Sequence, residues 1–168
     1  MTNVIHESFK HGKNFKIGHH CIIEENVEVG DNVEIQHFVL LKVGTKIGDN
    51  VFVDSYVKSS GANRIHDNVT LRYGTTIAKD VIVEDGAFIS PNVMTIYSKH
   101  TGEHCKGTII GENSFIGTGA VIGPGITIGE KVVIGALAYA SKDCVKQGIY
   151  AGVPAKFMPA KDDQSSKK

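Results

Sequence analysis

Five side chains able to move a proton, bind a metal or attack a carbonyl fall within nine residues: Tyr97, Lys99, His100, His104 and Cys105. They lie in Met94-Thr-Ile-Tyr-Ser-Lys-His-Thr-Gly-Glu-His-Cys-Lys-Gly107, a stretch with no apolar period. An imidazole there suits general-base work, because its unperturbed pKa of roughly 6.5 leaves it largely neutral near pH 7. Acyl transfer from a thioester to an alcohol needs such a base and little else. The hydroxyl proton must leave as the oxygen attacks, whereas a departing thiolate, with a parent pKa of about 8.5, needs little acid. Backbone amides can supply the oxyanion donor. Taken alone, a loop histidine is more often merely exposed; His100 and His104 are both candidates for the base, and direct transfer does not require Cys105.

The elements that must carry this segment announce themselves by a period of six. Ile17, Ile23, Val29, Ile35, Leu41, Ile47 and Val53 recur in step, then Ile65, Leu71, Ile77, Val83 and Ile89; after the break the series resumes at Ile110, Ile116, Ile122, Ile128 and Ile134, shifted by three. A fixed short repeat marks a solenoid. Branched residues also fill the fifth position of each hexad, favouring half-buried strands, and Gly-Asp-Asn and Glu-Asp-Gly triplets supply turns. Each hexad therefore makes one side and one corner of a three-sided prism. Hexads over 17–94 and 110–145 predict about six coils, a column about 30 Å tall at roughly 4.8 Å per coil. Ser59 takes an inward position without breaking phase, which predicts a corner bulge or a polar ladder. The chemistry-bearing segment is then a loop extruded near 94–108, and loops on rigid scaffolds are where functional groups are presented.

Composition narrows the classes. The 168 residues suit one domain, expected over 1–159, with a polar tail at 160–168 expected to be disordered. Lysine plus arginine equals aspartate plus glutamate, so neither nucleic acid nor an anionic membrane is an expected partner. No apolar block has the length of a signal peptide or membrane span, which points to a cytoplasmic protein. Cys21, Cys105 and Cys144 are widely spaced, which fits reduced thiols rather than a disulfide or zinc framework. Flat sides with exposed branched residues tend to be covered, so oligomerisation is expected.

The hexads resemble those of the hexapeptide-repeat acyltransferases, and that resemblance implies an all-β, left-handed parallel β-helix, typically trimeric with active sites between subunits. Ser90-Pro91-Asn92-Val93 followed by His100 is similar to the segment of galactoside and maltose O-acetyltransferases that holds their catalytic histidine, which implies His100 as base with His104 as the fallback. The acceptor-contacting asparagine of that family aligns with Thr70; Asn68, Arg72 and Tyr73 are the nearest substitutes, with Asn92 and His104 beside them. The chain also resembles nucleotide-amino-sugar N-acetyltransferases over 17–158, whose acceptor-contacting asparagine falls near Asp80. Asp80 would then pair with a sugar ammonium group or orient His100, unless it is simply a solvated turn residue. Ile116-Gly-Thr-Gly-Ala-Val, Ile134-Gly-Ala-Leu-Ala-Tyr-Ala-Ser-Lys-Asp143 and Gly152-Val-Pro-Ala-Lys156 follow the order found in acetyl-CoA-binding members. This implies acetyl-CoA as donor, a pantetheine track at Thr118 and Ala136, and contacts to the adenine and phosphate end from Ser141, Lys142 and Lys156.

The expected activity is direct acetyl transfer to a sugar hydroxyl, the acceptor being a small sugar or nucleotide sugar. The alternative is N-acetylation of a nucleotide-linked amino sugar in surface-polysaccharide biosynthesis. A gamma-type carbonic anhydrase uses the same prism, but no third metal ligand accompanies His100 and His104 in a matching hexad position, so no metal is expected. A non-catalytic scaffold is the remaining class, and it predicts no acetyl-CoA binding.

Overall fold

Two-residue strands recur every six residues, as in Ile22–Ile23, Glu28–Val29 and Glu34–Ile35, so each strand and the corner after it turn the chain by one third of a coil. The computed structural model describes residues 2–159, and the tail at 160–168 lies outside the described residues. These stack into three sheets of eight, seven and nine strands, here faces A, B and C. Face A starts at Val4–Ile5, face B at Lys10–His11 and face C at Lys16–Ile17. Strand partners are parallel and eighteen residues apart, as Ile22 with Leu40 and Leu40 with Lys58. The result is an all-β, left-handed parallel β-helix of about eight turns.

Eight turns exceed the six counted from the hexads, and the reason lies at the ends. The first coil places Ile5, His11 and Ile17 inward, and the last returns through Ile149–Ala151, where Ile134 meets Tyr150 sixteen residues on rather than eighteen. An end coil has a neighbour on one side only, so its inward positions need be neither aliphatic nor in strict phase. At the first coil Phe9, His11 and Phe15 close the lumen, with ring centroids 4.8–5.7 Å apart.

Elsewhere the lumen is a stack of fully buried aliphatics, Ile23, Leu41, Leu71, Ile89, Ile116 and Ile134 among them. Ser59 resolves as a polar ladder. Its hydroxyl lies 2.6 Å from that of Thr45 and donates to Asn63 Oδ1, while Asn63 Nδ2 donates to the carbonyl of Ala78. All three side chains are buried. Buried polar groups are tolerated when each finds a partner, and here they do.

Corners decide where outward side chains stand. Between faces B and C, Asn14, Asn32, Asn50 and Asn68 share left-handed φ values of 55–58°, a conformation asparagine accepts readily. Beside them the amides of Lys13, Asp31, Asp49 and Asp67 donate to the carboxylates of Asp31, Asp49, Asp67 and Asp85 at 2.7–2.9 Å. Between faces C and A, aromatic rings adopt the same strained φ: His20 at 59°, Phe38 at 57° and Tyr56 at 63°. Successive rings stack 4.9 Å apart, which offsets part of that strain.

Candidate functional site

The extruded segment is a short hairpin. Strand pairing continues through Met94–Thr95, and Ile96 still donates its amide to Ile122 O at 3.0 Å. The sequence hides this because inward Thr95 is polar; its hydroxyl accepts from the Ala78 amide at 2.6 Å. Ile82 then pairs with Ile109, twenty-seven residues on, so the hairpin inserts nine residues into one coil at the corner between faces A and B. The Cys105 amide donates to Tyr97 O at 3.1 Å, the Lys99 amide to Glu103 O at 3.0 Å and the Gly102 amide to Lys99 O at 2.9 Å.

This geometry separates the two histidines. His100 occupies the tip, in the turn closed by Lys99 and Gly102, and is exposed. His104 pairs with Ser98 near the base, and its ring stacks on Tyr97 at 5.6 Å. The legs are pinned by a 2.9 Å ion pair between Lys99 and Glu103, whose hydrogen bond holds the Lys99 amine above its ordinary pKa.

Both neighbouring coils clamp the hairpin. A Cβ on Gly107 would strike the carbonyl of Asp80, one coil below. A Cβ on Gly125, one coil above with φ of 69°, would come 3.0 Å from Cys105 Cβ. Asp80, itself at φ 60°, thus lies directly under the hairpin.

The remaining nominated residues divide among corners. Tyr73, Asn92, Thr118 and Ala136 share the corner between faces C and A. Leu137 donates its amide to Thr118 O at 2.9 Å, so Thr118 and Ala136 do adjoin one coil apart. A Cβ on Gly117 would come 2.5 Å from Ala136 N, which requires glycine there. Ser141 and Lys142 lie above the hairpin, past the end of Tyr139–Ala140 on face A, and Lys156 lies on the antiparallel strand Lys156–Met158 at the top of face C. Asn68 belongs to the asparagine ladder of the third corner, and Arg72 is tied to Asp54 at 3.3 Å. Within one column, His100, His104 and Asp80 share the corner between faces A and B, with His100 at the hairpin tip, whereas Thr118 and Ala136 adjoin on the corner between faces C and A. Among the described residues no three His, Cys, Asp or Glu side chains gather as a metal-binding group, and no helix is long and apolar enough to cross a membrane.

Residues 2–110 match the model of the GMPPB C-terminal domain. The chain belongs to that family. Residues 107–139 match the bacterial transferase hexapeptide model of six repeats, so the hexapeptide-repeat resemblance is borne out. No curated protein matches by sequence. Among solved structures, UDP-N-acetylglucosamine O-acyltransferase (LpxA) of Moraxella catarrhalis is 22% identical with a TM-score of 0.75, over 94% of this chain and 72% of that one. The acetyltransferase domain of PglB from Neisseria gonorrhoeae, in complex with acetyl coenzyme A, is 22% identical with a TM-score of 0.56, over 93% of this chain and 57% of that one, so this chain spans little more than half of it. The N-acyltransferase AntD of Bacillus cereus, as a point mutant in complex with dTDP and coenzyme A, is 20% identical with a TM-score of 0.54, over 85% of this chain and 81% of that one.

The three thiols are unpaired and differ in environment. Burial raises the pKa of Cys21, and burial followed by the Asp143 charge raises that of Cys144, so both are thiols at neutral pH. Cys105 is only half-buried. A thiol-reactive dye at pH 7.5 should label one cysteine rapidly in folded protein, and peptide mapping should find the label on Cys105. Prior labelling of Cys21 or Cys144 would contradict their burial.

Proposed function

We propose that the chain is an acetyl-CoA-dependent sugar acetyltransferase that transfers acetyl directly to a hydroxyl, with His100 as the general base. The carrying observation is the hairpin, which lifts an exposed, unencumbered imidazole off a rigid corner while Asp80 and Gly125 hold its base. The complexes of PglB with acetyl coenzyme A and of AntD with coenzyme A support the donor. Thr118 and Ala136 fit an extended pantetheine arm, because both are exposed and project nothing longer than a hydroxyl and a methyl. Ser141, Lys142 and Lys156 would meet its adenine and phosphate end, where cations compensate phosphate charge.

Bound acetyl-CoA supplies a thioester carbonyl carbon as electrophile. His100 accepts the acceptor hydroxyl proton as the C–O bond forms and the C–S bond breaks, and can return that proton to the departing thiolate. Tyr73, Asn92 and His104 are proposed acceptor contacts, with Asn68 and Arg72 completing the set if a second subunit brings their corners near.

N-acetylation of a nucleotide-linked amino sugar is the second reading, favoured by Asp80 beneath the hairpin, where a carboxylate would pair with an ammonium group. An amine already holds a lone pair and would not need His100. A screen of simple sugars, amino sugars and nucleotide sugars with acetyl-CoA, reading thiol release, decides between them; release with none of the three classes would discard both.

A homotrimer accompanies this reading. His100 and the Thr118–Ala136 track stand on different corners, so a neighbouring column must bring its own track to the hairpin. Face C offers an apolar side for it, with Phe88 and Phe115 stacked at 5.4 Å and Phe115 42% exposed. A cytoplasmic setting agrees with three unpaired thiols.

Lys156→Ala should raise the dissociation constant for coenzyme A about tenfold, as expected for one charge-assisted contact. An unchanged constant in calorimetry would remove Lys156 from the donor site.

A further inference from the structure

The chain has only two arginines, Arg64 and Arg72. Arg72 is paired with Asp54, whereas Arg64 has no ion-pair partner among the described residues. Its position makes this unusual. Up the outside of face B run Lys10, Glu28, Lys46 and Arg64, each in register with the next. Glu28 bridges Lys10 at 3.4 Å and Lys46 at 3.3 Å, and these two amines hold its carboxyl below the usual range. The next rung sets Arg64 directly beside Lys46, a like-charge pair that is unfavourable on one sheet face.

Arg64 and Lys46 line an open groove of about 510 Å³ with Glu28, His66, Asp67 and Asp85. The groove's acidic groups are already engaged: Glu28 by the two lysines, Asp67 and Asp85 by the amides of Asp49 and Asp67, with His66 Nδ1 3.9 Å from Asp85. Of the groove's charged side chains, Arg64 is the one that none of these contacts engages. Arg64 also immediately follows the corner from which the hairpin leaves two coils higher, about 10 Å away at roughly 4.8 Å per coil. Ile82 and Ile109 fill the next two rungs of that face.

We propose that this groove binds a phosphate or diphosphate group, with Arg64 as the principal ligand and Lys46 and His66 in support, and that the group belongs to the acetyl acceptor. A guanidinium offers paired donors matched to phosphate oxygens. The span to the hairpin suits a diphosphate-linked sugar whose sugar end meets His100. The second half of the proposal rests on the acetyltransferase reading; the binding site itself does not.

Two measurements separate them. In calorimetry, inorganic pyrophosphate and UDP should bind the full-length protein, and Arg64→Gln should weaken both about 10- to 100-fold. Arg64 lies on an outer face, so the variant should keep the wild-type melting temperature. In kinetics, Arg64→Gln should raise KM for a nucleotide-linked acceptor without changing kcat, and should leave an unphosphorylated acceptor unaffected. Arg64-dependent binding of pyrophosphate without any acetyl transfer would support the anion site and defeat the acetyltransferase reading. No binding of either probe at millimolar concentration, or equal binding by Arg64→Gln, overturns the proposal.

Discussion

Replacing His100 by alanine should lower turnover on a hydroxyl acceptor about 10²- to 10⁴-fold, equivalent to about 3–5 kcal/mol at 1.36 kcal/mol per decade. Coenzyme A binding should be nearly unchanged, since the nominated donor contacts at Thr118, Ala136, Ser141, Lys142 and Lys156 lie outside the hairpin. The fold should be unaffected as well, because His100 is an exposed turn residue that packs against nothing the column needs. His104→Ala is the control. Its ring stacks on Tyr97 at the hairpin base, so its loss should alter turnover less than that of His100. Equal turnover by His100→Ala and wild type on an alcohol would remove the imidazole from the mechanism. An amine acceptor tested above its own pKa should be far less sensitive, and that contrast tells the two acetylation readings apart.

Leu71→Ala should destabilise the column by about 2–5 kcal/mol, the usual range for emptying a buried leucine site. Leu71 is fully buried on face C, stacked between Val53 below and Ile89 above. In a solenoid each coil is held by its neighbours alone, so a cavity in a central coil weakens two interfaces together. Thr70 precedes it on the outer side of the same strand, and Thr70→Ala should shift stability by no more than about 0.5 kcal/mol. Urea unfolding of the two variants checks the pair. A Leu71→Ala loss below about 1 kcal/mol would mean that the lumen can collapse around the gap.

The hexad period exposed the inward residues because it is local: two strand residues and a four-residue corner repeat whatever surrounds them. It failed at both ends of the column and at Thr95, where tertiary neighbours rather than the period settle what may point inward. Ser59 lies between these cases. Its polarity is plain in the sequence, but of the partners that make it acceptable Asn63 lies just past the next corner and Thr45 comes from the adjacent coil. Asn68, Asn92 and Asp80 drew attention as polar residues near a site, yet all three have left-handed φ values of 58–60° that corners demand. Turn geometry alone accounts for their residue types, so sequence could not separate that need from a binding role. Nothing local distinguishes Arg64 from the chain's other cations.

By itself the sequence determined the six-residue period, the inward set of the central coils and the existence of a chemically equipped excursion, because each follows from residue type at short range. Which corner carries that excursion, which histidine stands free at its tip and which guanidinium lacks a partner were decided by the tertiary structure. Those are properties of neighbouring coils, set by an eighteen-residue register and one nine-residue insertion that bring distant residues into contact.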